Sequence, residues 1–384
     1  MRRDAGRAGP ATGPWIRARQ IAKVTGPISP GNIAELVDQR DRPLGWGLYS
    51  EASSIALRMI SWSTAPPEEH WLQTQITRAA AAREAYRLEA NGTTGYRVIN
   101  SEGDGLPGLV ADRYGEDLVV QITTAPMLAR REAIVAALRE QVSPRRIHVI
   151  VPEAAAKHEA IEASVSLQDA PEQLTFHEGG MRFVVDPPPS QKTGAYFDQR
   201  DNRRWVAGLA AGTGGTLLDV GCHVGGFALA ARAAGVAAIG LDSSQRSLAR
   251  ARANATDAGF SDVEFIEADM FGRLDHASLA GPFGTVVLDP PKLAMRRSDV
   301  DRARGAMSRT IGRLAPRVRV GGHIVACSCS HHFGLEALDR AVFEAARDTA
   351  WTRVRVLGPD VDHPTVPGHR EGNYLVLAVY QRRA

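Results

Sequence analysis

The fold is decided by residues 216–230, which read TLLDVGCHVGGFALA. A short apolar run contains the acid Asp219, a turn with Gly221, Gly225 and Gly226 follows, and the next residues have helical spacing. A strand that turns directly into a helix is the first half of a βαβ unit. The glycines are not spaced G-x-G-x-x-G, which disfavours a nicotinamide-dependent oxidoreductase.

The same alternation of strand and helix continues to the end of the chain. Further strand-like runs are AAIGLD (237–242), VEFIEAD (263–269), TVVLDPP (285–291) and HIVACSCS (323–330). Helical stretches separate them, which predicts a doubly wound α/β domain with a mostly parallel sheet. Two last strands, RVRVLG (353–358) and YLVLAVYQR (374–382), are expected to form an antiparallel hairpin at its edge.

Three successive strands end in an acid, namely Asp219, Asp242 and Asp269. Ligands of doubly wound sheets bind at the carboxyl ends of the strands. The pattern D-x-G-x-x-x-G-G resembles that of class I S-adenosylmethionine-dependent methyltransferases, where Asp242 would accept the ribose hydroxyls and Asp269 would face the adenine amino group. We therefore expect S-adenosylmethionine as cofactor, with Asp219, Gly221 and Gly225 in its site beside Asp242 and Asp269. The alternative is that the glycines only allow close packing of helix on strand.

The fourth strand ends in Asp289-Pro290-Pro291, which resembles the active-site motif of methyltransferases that act on nucleobases. The prolines would fix the backbone, and the acid would face the polar edge of the base. Lys292 follows, where N6-adenine enzymes usually have an aromatic residue that stacks the flipped base. The alternative is a loop stiffened by proline without a role in chemistry.

Two of the three cysteines, Cys327 and Cys329, lie close together at the end of the fifth strand. A structural zinc site would need four ligands, and Cys222 belongs to a different strand end. Cysteines that merely fill a buried strand are a second interpretation. A nucleophile explains the most, because carbon 5 of a pyrimidine is a poor nucleophile and its methylation requires that a thiolate first add to carbon 6.

Length and composition limit the class of protein to which the chain can belong. Its 384 residues suggest two or three domains, and a net charge of +3 does not by itself indicate a nucleic-acid partner. Three cysteines are too few for a disulfide framework. No apolar run approaches the roughly 18 residues of a membrane span, and the start lacks the apolar segment of a signal peptide. We expect a cytoplasmic protein without a membrane partner.

Four segments are expected along the chain. They are a disordered leader (1–13), a small β-barrel-like module with a connecting helix (14–90), a small α+β domain (92–185) and the α/β domain (190–384). The sequence DPPPSQ, residues 186–191, is the clearest linker, since three consecutive prolines fit neither a helix nor a central strand.

Two helices and several strands are expected before this linker. One helix runs from Glu68 to about Ala90, with an apolar stripe interrupted only by Arg83; the stripe consists of Leu72, Ile76, Ala79, Tyr86 and Ala90. A second helix is expected from Met127 to Gln141. Strands are expected at 33–37, 55–60, 147–151 and 181–185, with hairpins within 96–122.

Five segments resemble, in this order, the RlmI-like family of ribosomal RNA large-subunit methyltransferases. They are QKTGAYFDQRDNRRWVA (191–207), LLDVGCHVGGFALA (217–230), LDPPKLA (288–294), ACSCSHH (326–332) and DHPTVPGHREGNYL (362–375). Residues 96–121 resemble the family's central domain, and the N-terminal module looks like its PUA RNA-binding domain. The resemblance implies methyl transfer from S-adenosylmethionine to C5 of a cytosine in 23S-type ribosomal RNA, the expected partner; a homodimer stays open.

The resemblance also implies catalytic roles. Ser328-Cys329-Ser330 is similar to the Thr-Cys-Ser of RNA cytosine-C5 methyltransferases, so Cys329 is the expected nucleophile and Cys327 the reserve. Asp289 would bind the N3 and N4 edge of cytosine and polarise the ring, close enough to the cofactor to contact it as well. The sequence does not identify the base that later removes the C5 proton.

Further contacts are expected around this centre. The cofactor is expected to contact Gln199 and Lys192. The RNA is expected to contact Pro290, Lys292, Arg296 and Arg297. A basic stretch from Arg296 to Arg319 would hold the phosphate backbone while a base is extruded into the pocket; the alternative is a solvated helix face.

Two positions depart from the family pattern, and two other functions stay open. His223 replaces the usual aromatic residue of the glycine motif, and the usual HPWVF-like start survives only as Pro14-Trp15-Ile16. A methyltransferase acting on another nucleobase atom, such as guanine N7, would need no cysteine. A non-catalytic RNA-binding assembly factor would keep the fold without binding the cofactor.

Overall fold

The computed structural model describes residues 8–26, 31–187, 195–346 and 350–384. Two compact units are present: unit 1 contains Met1–Phe197 and Val361–Asn373, and unit 2 contains Asp198–Asp360 and Tyr374–Ala384. The predicted segments 14–90 and 92–185 thus share one unit, and 361–373 belongs with them rather than with the α/β domain. The three domain boundaries themselves stay a prediction.

Unit 1 begins with a four-stranded antiparallel sheet. Its strands are β1 (Trp15–Ile16), β2 (Ile33–Val37), β3 (Pro43–Tyr49) and β4 (Leu57–Ser61), in the order β1-β4-β3-β2. The strand predicted at 33–37 has these bounds, and the one predicted at 55–60 begins at Leu57. The sheet has a small core of its own, formed by Ile16, Leu36, Leu57 and Met59.

The helix that follows, α1 (Trp71–Ala85), is shorter than predicted. Ile76 and Ala79 of the predicted stripe are buried, whereas Tyr86 lies beyond the end of the helix and is 40% exposed. Arg83, which the sequence pattern presents as an interruption of the apolar stripe, is itself buried.

Arg83 can be buried because its guanidinium group is bonded on every side. It donates to both carboxylate oxygens of Asp104 at 2.6 and 2.7 Å, and to the main-chain oxygens of Arg97 at 3.0 Å and Asp362 at 2.8 Å. The Asp362 carboxylate in turn accepts from the Arg97 amide at 2.8 Å. A buried charge is tolerated only when it is paired and hydrogen-bonded. These contacts therefore hold the segment 361–373 within unit 1.

The rest of unit 1 has an α+β arrangement. Its elements are β5 (Gly95–Asn100), β6 (Leu109–Tyr114), β7 (Asp117–Ile122), α2 (Ala125–Leu128), α3 (Arg131–Val142), β8 (Arg146–Val151), α4 (Glu153–Glu159), β9 (Ser164–Ser166), β10 (Leu174–Glu178) and β11 (Met181–Val185). Strands β5 to β9 form one sheet in chain order, and β10 pairs with β11. The predicted hairpins are present, but the helix predicted at 127–141 is divided into α2 and α3.

Unit 2 is a doubly wound α/β domain. Its elements are α5 (Arg200–Thr213), β12 (Thr216–Val220), α6 (Gly226–Ala233), β13 (Ala238–Asp242), α7 (Gln245–Asp257), β14 (Glu264–Glu267), β15 (Phe283–Leu288), α8 (Val300–Leu314), β16 (Val318–Ser328), α9 (Leu335–Ala345), β17 (Trp351–Leu357) and β18 (Val376–Arg382). The sheet order is β14-β13-β12-β15-β16-β18-β17. The first five strands are parallel, and β18 pairs antiparallel with β16 and β17. The predicted fold class is confirmed, including the antiparallel hairpin at the edge.

The direction of winding reverses at β12. The chain runs from β12 outward through β13 to β14, and then returns to the other side of β12 to form β15 and β16. Such a reversal opens a crevice at the carboxyl ends of the two central strands, where ligands of this fold bind. Within the described part of the chain, no helix is long and apolar enough to cross a membrane.

We expect Arg83→Met to destabilise the protein by about 3–5 kcal/mol, because the substitution leaves the buried Asp104 carboxylate without its partner. Arg145→Met is the matched control, since its ion pair with Glu116 is exposed on both sides and should contribute less than about 1 kcal/mol. Urea unfolding of the full chain, followed by circular dichroism, measures both values. Equal effects of the two substitutions would contradict this account of Arg83.

Candidate active site at the carboxyl edge of the parallel sheet

Strands β12 and β15 are joined where they end. The Asp289 amide donates to the Val220 carbonyl at 3.0 Å, just after the last paired residues of the two strands. Gly221 follows Val220 with φ of +85°, and a Cβ there would lie 2.4 Å from the Asp289 carbonyl oxygen. Only glycine fits such a contact in this backbone conformation. The glycine therefore brings the two strand ends together at the point of reversal.

Asp219 lies behind this turn and is fully buried. Its Oδ2 accepts from the Ala228 amide at 3.0 Å, which fixes the first turn of α6, and Oδ1 has no hydrogen-bond partner among the described residues. Burial raises the pKa of Asp219 to about 7, and the negative charges of Asp289 and Asp242 add to the shift. This acid therefore holds a proton far more readily than a surface carboxylate does.

Asp242 ends β13 and is half-buried. Its Oδ2 accepts from the His223 amide and its Oδ1 from the Ser244 amide, both at 2.9 Å. Two main-chain donors thus fix the orientation of the carboxylate, which has further lone pairs for two more hydrogen bonds. His223 has φ of +50°, a conformation that is rare outside glycine.

Asp269 follows β14 and is exposed. Its Oδ1 accepts from the Phe271 amide at 2.9 Å, which closes a short turn after the strand. The acids at three neighbouring strand ends therefore differ in their surroundings: Asp219 is buried, Asp242 is half-buried and Asp269 is exposed. Three acids at neighbouring strand ends beside a glycine turn fit the adenosyl half of S-adenosylmethionine.

Asp289 is held by a chain of amides from α5 and the turn before it. Gln199 donates from Nε2 to Asp289 Oδ2 at 3.2 Å, and Asn202 donates from Nδ2 to Gln199 Oε1 at 2.6 Å. Asn202 also donates to the Gly358 carbonyl at 3.0 Å. Both Gln199 and Asn202 are buried. Asn202 was not singled out from the sequence, although its spacing of three residues from Gln199 at a helix start would place the two side chains on one face.

The two neighbouring cysteines are in different environments. Cys327 is a fully buried residue of β16, next to the position level with Leu288, and burial raises the pKa of its thiol well above the ordinary value, with the charge of Asp289 adding to the shift. Cys329 lies beyond the last residue of β16 and is partly exposed. Cys222 is buried, and burial likewise raises its pKa. Cys329 is thus the one of the three thiols with access to solvent.

The turn after Cys329 is attached to the loop after Asp289. Ser330 donates from Oγ to the Ala294 carbonyl at 2.5 Å. In that loop Pro290 is buried and Lys292 is exposed. The strands β15 and β16 are also adjacent and parallel. The Asp289 motif and the Cys329 motif, far apart in sequence, therefore meet at one edge of the sheet.

The arginines of the basic stretch from Arg296 to Arg319 differ in their surroundings. Arg296 and Arg297 are exposed close to Lys292 in sequence. Arg313 and Arg317 donate to main-chain carbonyls within unit 2, from Phe271 to Leu279. That they hold RNA phosphates stays a prediction. Their guanidinium groups hydrogen-bond the main-chain carbonyls of the loop between β14 and β15. The number of arginines in the sequence does not reveal this role.

Some expected contacts lie outside the described residues. Lys192 belongs to this part of the chain, as do Gln191, Thr193 and Gly194 of the QKTG motif. Among the residues that are described, no group of three or more histidine, cysteine or acidic side chains is arranged to hold a metal ion.

Comparison with known proteins identifies two domains. A family model described as S-adenosylmethionine-dependent methyltransferase matches residues 120–373, and one described as PUA-like domain matches residues 7–62. These matches confirm the PUA-like module and the cofactor that the sequence predicts.

Curated relatives match over most of the chain. The chain is 33% identical over 374 residues to the Ribosomal RNA large subunit methyltransferase I of Pseudoalteromonas atlantica, covering 94% of this chain and 93% of the relative. It is 35% identical over 353 residues to the Ribosomal RNA large subunit methyltransferase of Deinococcus radiodurans. This match covers 87% of this chain and 85% of the relative. The RlmI-like resemblance seen in the sequence motifs is thus confirmed over the length of the protein.

Solved structures share the fold. A SAM-dependent methyltransferase from Streptococcus mutans has a TM-score of 0.78 at 18% identity and covers 97% of this chain and 96% of its own. A methyltransferase complexed with SAH has a TM-score of 0.80 at 19% identity, covering 96% and 95%. At these identities the likeness shows the fold alone.

The protonation of Asp219 predicts a dependence of stability on pH. Its pKa is raised from the ordinary 3.8 to about 7 in the folded protein, so the native state retains a proton that the unfolded chain releases. This contribution to stability is complete below about pH 4 and is lost as the pH rises through about 7, with a total on the order of 4 kcal/mol. Asp219→Asn keeps a neutral side chain and should remove the dependence.

The measurement is urea unfolding of the cofactor-free protein and of Asp219→Asn at several values between pH 4 and 8. We expect the stability of the variant relative to the parent protein to increase steadily with pH. Parallel curves for the two proteins would show that Asp219 is ionised in the native state at all these values.

Proposed function

Because the chain belongs to the family of S-adenosylmethionine-dependent methyltransferases that includes the ribosomal RNA large subunit methyltransferases, we propose that it methylates C5 of a cytosine in large-subunit ribosomal RNA. The RNA substrate is taken from the names of its relatives. The observation that supports cytosine C5 is the partly exposed Cys329 at the same sheet edge as Asp289. Methylation of C5 needs a thiol at this position. Methylation of an exocyclic nitrogen or of guanine N7 does not.

Cys329 is the proposed nucleophile. Its thiolate adds to C6 of the cytosine, and the electron pair of the C5=C6 bond moves so that C5 becomes electron-rich. Cys327 is the weaker candidate, because it is fully buried and burial raises the pKa of its thiol, which keeps it protonated and out of reach of a base. Exposure therefore favours Cys329 over Cys327 as the proposed nucleophile, although only one residue separates them.

Asp289 is proposed to orient and polarise the base. Its carboxyl group would contact the N3 and N4 edge of cytosine, and this contact stabilises the charge that develops in the ring as the thiolate attacks. The Gln199 amide donates to Asp289 Oδ2 at 3.2 Å and so fixes the orientation of this carboxyl group. We therefore propose Gln199 as a positioning residue for Asp289 rather than as a cofactor ligand.

The cofactor is proposed to be held along the ends of β12, β13 and β14. Asp242 would accept the ribose hydroxyls, Asp269 would face the adenine amino group, and Gly221 and Gly225 would lie beside the ligand in the turn after β12. Asp219 supports this turn from behind through its bond to the Ala228 amide. When bound, S-adenosylmethionine supplies the methyl group that the activated C5 takes up.

The RNA backbone is proposed to lie along the exposed cations that follow Asp289. Lys292, Arg296 and Arg297 are all exposed and precede α8. Pro290 is buried and would stiffen the loop that carries them. Positively charged side chains beside an active site hold phosphates while a base is turned out of its stack. The PUA-like module would contribute further contacts.

We expect the protein to form 5-methylcytidine in protein-free large-subunit ribosomal RNA and Cys329→Ala to lose this activity by at least about 1,000-fold, since the covalent step is removed. Cys327→Ala is the matched control and should retain activity within about tenfold. Labelled S-adenosylmethionine, nuclease digestion and mass spectrometry of the nucleosides give the product and the rates.

A covalent trap separates the alternatives. RNA that contains 5-fluorocytidine should form an adduct with the protein that survives denaturation, because fluorine cannot leave C5 as a proton does; Cys329→Ala should form none. Methylation by Cys329→Ala at another nucleobase atom would replace the proposal by the nitrogen-methylating alternative. Absence of methyl transfer to any RNA by either protein would favour the non-catalytic assembly factor.

Gln199→Ala tests the positioning role. We expect the rate of methyl transfer to fall by about 10- to 100-fold, while the Kd for S-adenosylmethionine changes less than about threefold, because the Gln199 side chain contacts Asp289. Gln381→Ala, which removes a partly exposed glutamine of β18, is the control and should change neither value. Isothermal titration and single-turnover kinetics measure the two quantities. A large loss of cofactor affinity at an unchanged rate would instead make Gln199 a cofactor ligand.

A further inference from the structure

Two histidines follow the proposed nucleophile directly. His331 and His332 are both partly exposed, and their rings are in contact, with centroids 3.8 Å apart and planes at 44°. They lie two and three residues after Cys329, in the turn between β16 and α9. None of the roles proposed above uses them.

The turn that carries the two rings is fixed on both sides. The His332 amide donates to Ser330 Oγ at 3.3 Å, and the same hydroxyl donates to the Ala294 carbonyl at 2.5 Å. The next residue, Phe333, is buried in the core of unit 2, and its amide donates to the Ser330 carbonyl at 2.9 Å. The pair is therefore held close to Cys329 and to the loop that begins at Asp289.

The proposed reaction requires a base that has not been assigned. Once C5 has received its methyl group, it also carries a hydrogen, and the ring becomes aromatic again only when that hydrogen leaves as a proton. Cys329 is then bonded to C6 and cannot act as the base. Asp289 is engaged with Gln199 and, in the proposed function, with N3 and N4 of the cytosine.

We propose that the His331–His332 pair removes the C5 proton and thereby releases the RNA from Cys329. This inference rests on the proposed function, and it assigns to the same site the base that the sequence alone did not identify. Histidine is the side chain whose charge ordinarily changes between pH 5 and 8, which suits it to accept a proton at neutral pH.

Both rings are partly exposed. A proton taken up by either ring can therefore pass to water.

The step is balanced within the site. A neutral ring nitrogen takes the hydrogen from C5 as a proton, and the electron pair of that C–H bond forms the C5=C6 double bond. The bond between C6 and the Cys329 sulfur breaks, and its electron pair returns to sulfur as thiolate. The imidazolium then loses its proton to water, so enzyme and product separate without a further reactant.

The double variant His331→Gln/His332→Gln tests the proposal, together with the two single variants. Each is incubated with protein-free large-subunit ribosomal RNA and methyl-labelled S-adenosylmethionine, and stopped in denaturant. We expect the double variant to incorporate up to one methyl group per protein, to accumulate an RNA–protein adduct that carries the label, and to turn over at least about 100-fold more slowly than the parent protein. His276→Gln, at a half-exposed histidine elsewhere in unit 2, should behave as the parent protein does.

The first methyl transfer serves as the control for folding, since a misfolded variant would not form the labelled adduct. Turnover of the double variant within about threefold of the parent protein would overturn the proposal. So would loss of the first methyl transfer in a double variant that unfolds in urea as the parent protein does, because the histidines would then act before the proton is removed. Failure of the proposed function itself is recognised separately: in that case Cys329→Ala transfers methyl groups, whatever the histidine variants do.

Discussion

The hydrogen bond from the Asp289 amide to the Val220 carbonyl is the constraint on which the site depends. It joins the ends of β12 and β15, the two strands between which the winding of the sheet reverses. A side chain at Gly221 would collide with the Asp289 carbonyl oxygen at 2.4 Å, so the joint requires glycine. On one side of this joint lie the acids that suit a nucleoside, and on the other lie Asp289 and Cys329. In the proposed function, the order of strands thus places the cofactor and the target base at adjoining positions.

Burial gives chemically similar side chains different functions at this edge. Asp219, fully buried, is shifted toward the neutral acid and supports the backbone. Asp242 receives two main-chain donors and keeps its orientation for a ligand. The cysteines differ in the same way, because the last residues of a buried strand are enclosed while the residue after it faces solvent. Among residues of one type at this edge, burial therefore separates those that support the fold from those open to a ligand. The proposed nucleophile, Cys329, is the thiol that is not buried.

The sequence predicts this half of the protein well because its signals are local. Alternating strands and helices, a glycine turn and an acid at each strand end each depend on a few consecutive residues. Arg83 shows the limit: its partners Asp104 and Asp362 lie 21 and 279 positions away, so a periodic pattern read within one helix marks it as a misplaced charge. Arg313 and Arg317 show the same limit, since the carbonyls that they cap belong to a loop some 40 residues earlier in the chain.

The roles of the two cysteines in Cys-Ser-Cys depend on the loop after Asp289 as well as on their spacing. Spacing alone allows a metal site, a buried filler or a nucleophile, because both sulfurs follow the same alternation along a strand. The end of β16 at Ser328 separates them, leaving Cys327 inside the sheet and Cys329 in the turn that Ser330 attaches to Ala294. That attachment also fixes the position of His331 and His332. The proposed nucleophile and the proposed proton acceptor thus share one short turn, and Asp289 follows the neighbouring strand β15.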